Sequence, residues 1–161
     1  MTGKISYIKK ISKALRALEP TAKGKWGKMN AQQMVEHLTD SIRVATGKEF
    51  QNKELTPEQT EKVRSFFLSD KPFRENTANN LLPVEPNPVR NSSMENAIRE
   101  FEEELNEFFS MFENSSRTTI NPFAGEFNYE QWVHLLHKHF QHHARQFGLV
   151  DDSFSSFLSS S

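Results

Sequence analysis

The chain has 161 residues, the length of a single domain, and its 20 basic and 21 acidic residues give a formal net charge of −1. These charges are spread along the sequence without the basic stripe that binding to a phosphate backbone requires, which argues against nucleic acid as a partner. Only 35% of the residues are hydrophobic, but 14 Phe and 2 Trp supply enough large side chains to close a core.

The sequence contains no cysteine, which restricts the chemistry that it can support. A disulfide framework, a cysteine nucleophile and a thiolate–metal site are all excluded. Any metal ligands must be His, Asp or Glu, and these suit a divalent transition metal such as Zn, Ni or Fe. No apolar run is long enough for a signal peptide or a membrane span, so we expect a cytoplasmic protein that does not bind membranes.

Apolar residues at spacings of three and four predict five helices. In chain order these are a short leading helix over residues 4–18 and four substantial ones over residues 30–47, 56–69, 92–112 and 128–148. Asn30 with Gln33, and Asn128 with Gln131, have the spacing of a capping box, and Thr56 precedes a proline at the first helical position. The expected fold is an all-α four-helix bundle with a short extra N-terminal helix.

The segments between the predicted helices lack any β-alternation of useful length. Residues 70–91 include four prolines and are expected to form a long, functional or mobile loop, and residues 114–127 form a second loop. We expect residues 1–150 to be one domain, followed by a Ser-rich tail over residues 151–161 that frays.

Five of the six histidines lie between residues 134 and 143. At about 100° per residue, His139 and His143 fall on the apolar face of the last helix, together with Trp132 and Leu136. These two histidines therefore occupy core-facing positions where leucine would be expected.

The remaining histidines differ in their placement. His134 and His137 point away from the apolar face, and His142 lies at its margin, so we interpret all three as exposed residues or residues that support the ligands. His37 stands alone on an earlier helix, beside the apolar stripe that includes Met34 and Leu38.

Two histidines one turn apart can bind one metal ion, because their Cβ atoms lie only about 5–6 Å from each other. The same spacing occurs in the zinc-binding H-E-x-x-H helix, although Phe140 stands where the catalytic Glu would be. Facing helices of a bundle pack about 8–10 Å apart, so His37 can supply a third ligand. The alternative is that His37, His139 and His143 are hydrogen-bonded core residues.

Two stretches resemble the DinB/YfiT-like superfamily of helical metal-binding proteins, and more narrowly one of its branches of unknown function. The stretches are KWGKMNAQQMVEHL (25–38) and NPFAGEFNYEQWVHLLHKHFQHHARQFGL (121–149). The resemblance implies an up-down-down-up four-helix bundle that often forms homodimers. It also implies that the metal ligands are His37, His139 and His143.

The superfamily often continues with His-Arg-Gly-Gln after the last ligand, whereas this chain reads His143-Ala144-Arg145-Gln146. Gln146 matches that pattern and the glycine does not. The match therefore supports the ligands more strongly than it supports their local surroundings.

Three protein ligands leave coordination positions open, which is typical of a catalytic metal site. The resemblance also implies a class of activity, since characterised members of the superfamily are S-transferases and isomerases that use low-molecular-weight thiols. The leading hypothesis is therefore a metal-dependent transferase that activates a small thiol for attack on a small-molecule electrophile. The alternatives are a non-catalytic, stress-associated metal-binding bundle and a metal-dependent hydrolase. Glu36, Asp40 and Glu130 are candidates for a general base only because they lie near the histidines in sequence.

Overall fold

The computed structural model describes residues 1–50, 53–75 and 85–149. Along these residues the elements are α1 (Thr2–Leu15), α2 (Ala31–Ala45), α3 (Pro57–Leu68), α4 (Met94–Phe112), β1 (Thr119–Asn121), β2 (Gly125–Phe127) and α5 (Tyr129–Gln146). The predicted all-α class is confirmed. The predicted tail over 151–161 and the middle of the predicted loop 70–91 lie outside the described residues.

Three of these helices begin with a capping box. In each, the N-cap side chain accepts a hydrogen bond from the backbone N–H of the Gln three residues later. The side-chain oxygen of that Gln in turn accepts a hydrogen bond from the backbone N–H of the N-cap residue. The N-cap residues are Asn30, Thr56 and Asn128, as the sequence predicts. These caps fix where α2 and α5 begin, and hence which side chains each helix directs toward the other.

The core is formed by α1, α2, α4 and α5, because α1 and α2 each pack against both α4 and α5. Its largest fully buried side chains include Trp132 and Phe140 of α5, Phe101 and Phe108 of α4, and Met34 of α2. Large aromatic side chains thus close the core, as the composition predicts. Among the described helices, none is long and apolar enough to cross a membrane.

The helix that lies outside this packed set is α3, whereas the sequence predicts the N-terminal helix as the extra one. Ile8, Ile11 and Leu15 of α1 are fully buried, while α3 has no buried residue. The physical reason is which helices meet: the apolar face of α1 packs against both α4 and α5, whereas α3 packs chiefly against α5. The partly buried Val63, Phe67 and Leu68 of α3 rest against the core, and Arg64 donates hydrogen bonds to the carbonyl oxygens of residues 124 and 126.

The predicted loop 114–127 contains a short antiparallel hairpin, formed by β1 and β2, which the sequence did not predict. Each strand has only three residues, so alternation of polar and apolar residues cannot show it. Thr119 connects the hairpin to two helices: its hydroxyl donates to the carbonyl of Ala45 at 2.6 Å and accepts from Trp132 Nε1 at 2.8 Å. The hairpin thereby joins the end of α2 to the start of α5.

Glu36 is a buried carboxylate that attaches the segment before α4 to α2. It is only 4% exposed, and it accepts hydrogen bonds from the backbone N–H groups of Arg90 and Asn91 at 2.8 and 3.1 Å. Burial by itself would raise the pKa of Glu36, but these hydrogen bonds outweigh burial and lower it. Asp40, one turn later, forms an ion pair with Arg90 at 3.0 Å. Both carboxylates thus have structural partners.

We expect Glu36→Ala to lower the free energy of unfolding by about 2–4 kcal/mol, because two backbone N–H groups would lose their acceptor. Chemical denaturation measures this change. The lowered pKa means that the contribution is present at neutral pH and disappears as the pH falls through the acidic range. The control is Glu95→Ala, an exposed residue in a 4.0 Å ion pair, which should change stability by less than about 0.5 kcal/mol. Equal effects of the two substitutions would contradict the anchoring role of Glu36.

Candidate metal centre

The candidate centre lies where α2 packs against α5. His37 is in the middle of α2, and His139 and His143 lie on successive turns of α5. His143 is 6% exposed, and His37 and His139 are each half-buried as whole residues. The centre is therefore a cluster in the interior of the helix packing.

The three rings direct the same nitrogen toward one point. The Nε2 atom of His139 lies 3.0 Å from Nε2 of His37 and 3.0 Å from Nε2 of His143. Two nitrogens bound to one tetrahedral ion at about 2.0–2.1 Å would be about 3.3 Å apart. The spacing of these nitrogens is thus close to that of a three-histidine metal site, and the three residues are a group that could hold an ion.

The surroundings keep all three imidazoles neutral. Burial, aided by the nearby His142, lowers the pKa of His37 to about 4. Burial and repulsion between the neighbouring rings hold the pKa values of His139 and His143 well below their usual range. Because metal ligation requires a neutral imidazole, each ring is in the protonation state that binds metal at neutral pH.

Gln146 determines which nitrogen of His143 carries the proton. The Gln146 Nε2 group donates to the backbone carbonyl of Trp26 at 2.8 Å, and a carbonyl can only accept, so this contact fixes the orientation of the amide. Gln146 Oε1 then lies 2.7 Å from His143 Nδ1, which must donate. His143 therefore carries its proton on Nδ1 and directs the lone pair of Nε2 into the cluster.

The loop before α2 is shaped to accept Gln146. A Cβ atom at Gly24 would lie 2.8 Å from Gln146 Cγ, and one at Gly27 would lie 2.8 Å from Gln146 Nε2. Gly27 also has a φ of +79°, which favours glycine. The backbone N–H of Lys25 donates to the Gln146 carbonyl at 2.7 Å. This loop and the end of α5 thus hold each other in place.

The other histidines of α5 lie around this cluster or away from it. His142 packs between Phe73 and Trp26, with ring centroids 5.7 and 5.5 Å away, and its ring also contacts His143. His134 and His137 belong to the side of the helix that faces α1. Both are half-buried, so the interpretation of these residues as exposed is wrong, because α1 and residue 69 pack over that side.

None of the three carboxylates considered as general bases joins the cluster. Glu36 and Asp40 are bound to residues 90 and 91, and Glu130 is exposed in the first turn of α5. Among the described residues, the candidate ligand group consists of histidines alone. The sequence places Gln146 on the ligand face, but its bond to Trp26 could not be predicted, because a loop carbonyl leaves no signal in the sequence.

We expect Gln146→Leu to remove the fixed tautomer of His143 and to lower the free energy of unfolding by about 1–3 kcal/mol, since the Trp26 and His143 partners would be left unpaired. In chelator-treated protein, ¹⁵N NMR of the imidazole nitrogens should show a protonated Nδ1 and an unprotonated Nε2 for His143, and a tautomer mixture in the variant. Gln141→Leu makes the same change outside the cluster and should leave these signals unchanged. A wild-type His143 protonated on Nε2 would contradict the assignment.

Comparison with known proteins places this chain in a family. A family model described as the DinB superfamily matches residues 11–147, which covers all three histidines, Gln146 and the four core helices apart from the first turns of α1. Neither the curated proteins nor the solved structures give a match. The match extends over most of the 161 residues, and the chain therefore belongs to the DinB superfamily.

Proposed function

We propose that the protein binds one divalent transition metal ion, Zn, Ni or Fe, through the Nε2 atoms of His37, His139 and His143. The observation that carries this proposal is the convergence of three neutral imidazole nitrogens: the Nε2 atom of His139 lies 3.0 Å from Nε2 of His37 and 3.0 Å from Nε2 of His143. The family supports it, since proteins of the DinB superfamily often bind metal.

The three nitrogens cannot satisfy one another without a cation. His143 Nε2 is a lone pair, because the proton of that ring is on Nδ1. If His139 carries its proton on Nε2, it can donate to only one of its two neighbours; if it carries the proton on Nδ1, its Nε2 can accept only from His37. In either case one nitrogen of the cluster gains no hydrogen bond from the other two. A buried polar atom without a partner is destabilising by about 1–3 kcal/mol. One cation at the centre would satisfy all three lone pairs at once.

We further propose that the site is catalytic and that the protein is an S-transferase acting on a low-molecular-weight thiol. A divalent ion held by three imidazoles supplies a Lewis acid with open coordination positions. The chain has no cysteine, so the thiol must come from solution. The Phe73 ring, which packs 6.1 Å from the His139 ring, would supply an apolar wall beside that thiol.

The described residues around the histidines favour this reaction over hydrolysis. A metal-dependent hydrolase commonly uses a carboxylate as general base, as in the H-E-x-x-H proteases. Here Glu36 accepts hydrogen bonds from the backbone of residues 90 and 91, Asp40 is ion-paired with Arg90, and Phe140 stands at the position of that Glu.

We also propose that α1, α2, α4 and α5 form the up-down-down-up bundle of the family, with α3 outside it.

We expect the purified wild-type protein to contain or to take up about one divalent transition ion per chain, measured by elemental analysis after exhaustive dialysis. Replacing any one ligand, as in His139→Ala, should weaken binding by more than about a hundredfold, which exceeds the loss typical of residues that only support ligands. His134→Ala is the matched control, since it removes a histidine of the same helix that lies outside the cluster. Equal metal content in wild type and in the His139 variant would contradict the site.

The transferase proposal has its own test. We expect a small thiol added to the cobalt-substituted protein to change its visible absorption, and the complex then to conjugate the thiol to an electrophile. His139→Ala should abolish both signals. A spectral change without conjugation would indicate a non-catalytic metal site, and a spectrum unaffected by any thiol would contradict the choice of substrate.

A further inference from the structure

A second cavity lies on the opposite side of α5 from the histidine cluster. It has a volume of about 130 Å³ and is enclosed by α1, α5 and the segment that follows α3. The side chains that matter for its chemistry are Lys4, Asp70, His134, Lys138, Gln141 and Arg145. His37, His139 and His143 do not line it, so the cavity is separate from the candidate metal centre.

Positive charge dominates this cavity. Lys4, Lys138 and Arg145 line it, and Asp70, the one acidic residue among the described residues of its lining, is exposed. The excess of cations over carboxylates creates a positive potential in a concave surface, where the surrounding protein strengthens the attraction for an anion.

The hydrogen-bond donors of the cavity are only partly used. Lys138 is saturated, since its Nζ donates to the carbonyl oxygens of Phe66 and Ser69 and to the Ser69 hydroxyl. Lys4 Nζ lies 2.8 Å from His134 Nδ1 and donates to it, because the Nε2–H of that ring donates to the Ser69 carbonyl at 2.8 Å. Two N–H groups of Lys4 thus have no acceptor among the described residues.

Arg145 and Gln141 contribute the remaining donors. Neither side chain makes a hydrogen bond or an ion pair within residues 1–50, 53–75 and 85–149, although both are half-buried. They lie one turn apart on α5 and line the same cavity. A guanidinium has five N–H donors in a planar fork that matches a carboxylate or a phosphate, and here that fork has no carboxylate partner among these residues.

We propose that this cavity binds a small oxyanion, the carboxylate or phosphate group of a small molecule, through Arg145, Lys4 and Gln141. The volume corresponds to about four water molecules, which accommodates such a group but not a nucleotide or a folded peptide. Arg145 provides the bidentate contact, Lys4 and Gln141 provide single donors, and Lys138 adds positive charge from the wall. The proposal does not depend on the function assigned to the histidine cluster.

The test is a titration of the full-length, ¹⁵N-labelled protein with inorganic phosphate in one arm and with acetate in the other. The protein is treated with chelator, so that an anion cannot bind through a metal ion. We expect saturable NMR shifts of the Arg145 Nε–H and the Gln141 side-chain amide. Arg145→Gln should weaken binding by about tenfold or more, and Arg99→Gln, which removes the same charge from an exposed site on α4, should not change it.

A preference for phosphate or for acetate identifies the oxyanion, and either result supports the site. Lys4→Gln, in the first turn of α1, provides a second variant that does not depend on correct folding of an altered α5, and it should also weaken binding. Three results would overturn the proposal: no saturable binding in either arm, equal affinities of wild type and Arg145→Gln, or shifts confined to His37, His139 and His143.

Discussion

The packing of α2 against α5 is the interaction on which the candidate site depends. It brings His37 within 3.0 Å of His139, a residue 102 positions later in the chain. Each helix is positioned by a capping box at its start, and Thr119 connects the end of α2 to the start of α5. Since one turn of a helix rises only 5.4 Å, a shift of α5 by a single turn would replace one ring of the cluster with another side chain.

The same packing would be more stable with leucine in place of the three histidines. Burying an imidazole is unfavourable unless its polar atoms have partners. Burial is also the main reason that the pKa values of these three rings are low. The remainder of the interface compensates with fully buried apolar side chains, among them Leu38 and Phe140. A fold that places imidazoles at core positions and supports one of them with Gln146 breaks the local packing rule there, and such breaks are expected where function lies.

The sequence predicts those features that arise from local spacing. The capping residues gave the starts of α2, α3 and α5, and the period of 3.6 placed His139 and His143 on one face. Features that arise between distant segments were not predictable in the same way. The three-residue strands have no period, the greater burial of α1 than of α3 depends on which faces meet, and the contact between Gln146 and the Trp26 carbonyl joins residues 120 apart.

Both candidate sites use α5, because residues that are adjacent in the sequence of a helix project from different faces of it. His139 belongs to the cluster, whereas its neighbour Lys138 lines the cavity on the other side. The segment after α3 contacts both faces: the Ser69 carbonyl accepts from Lys138, and the Phe73 ring packs 6.1 Å from the His139 ring. A displacement of that segment would therefore remove an acceptor from the cationic cavity and an apolar wall from the histidine cluster together. The two faces of α5 are separate in their chemistry, but they share this one structural support.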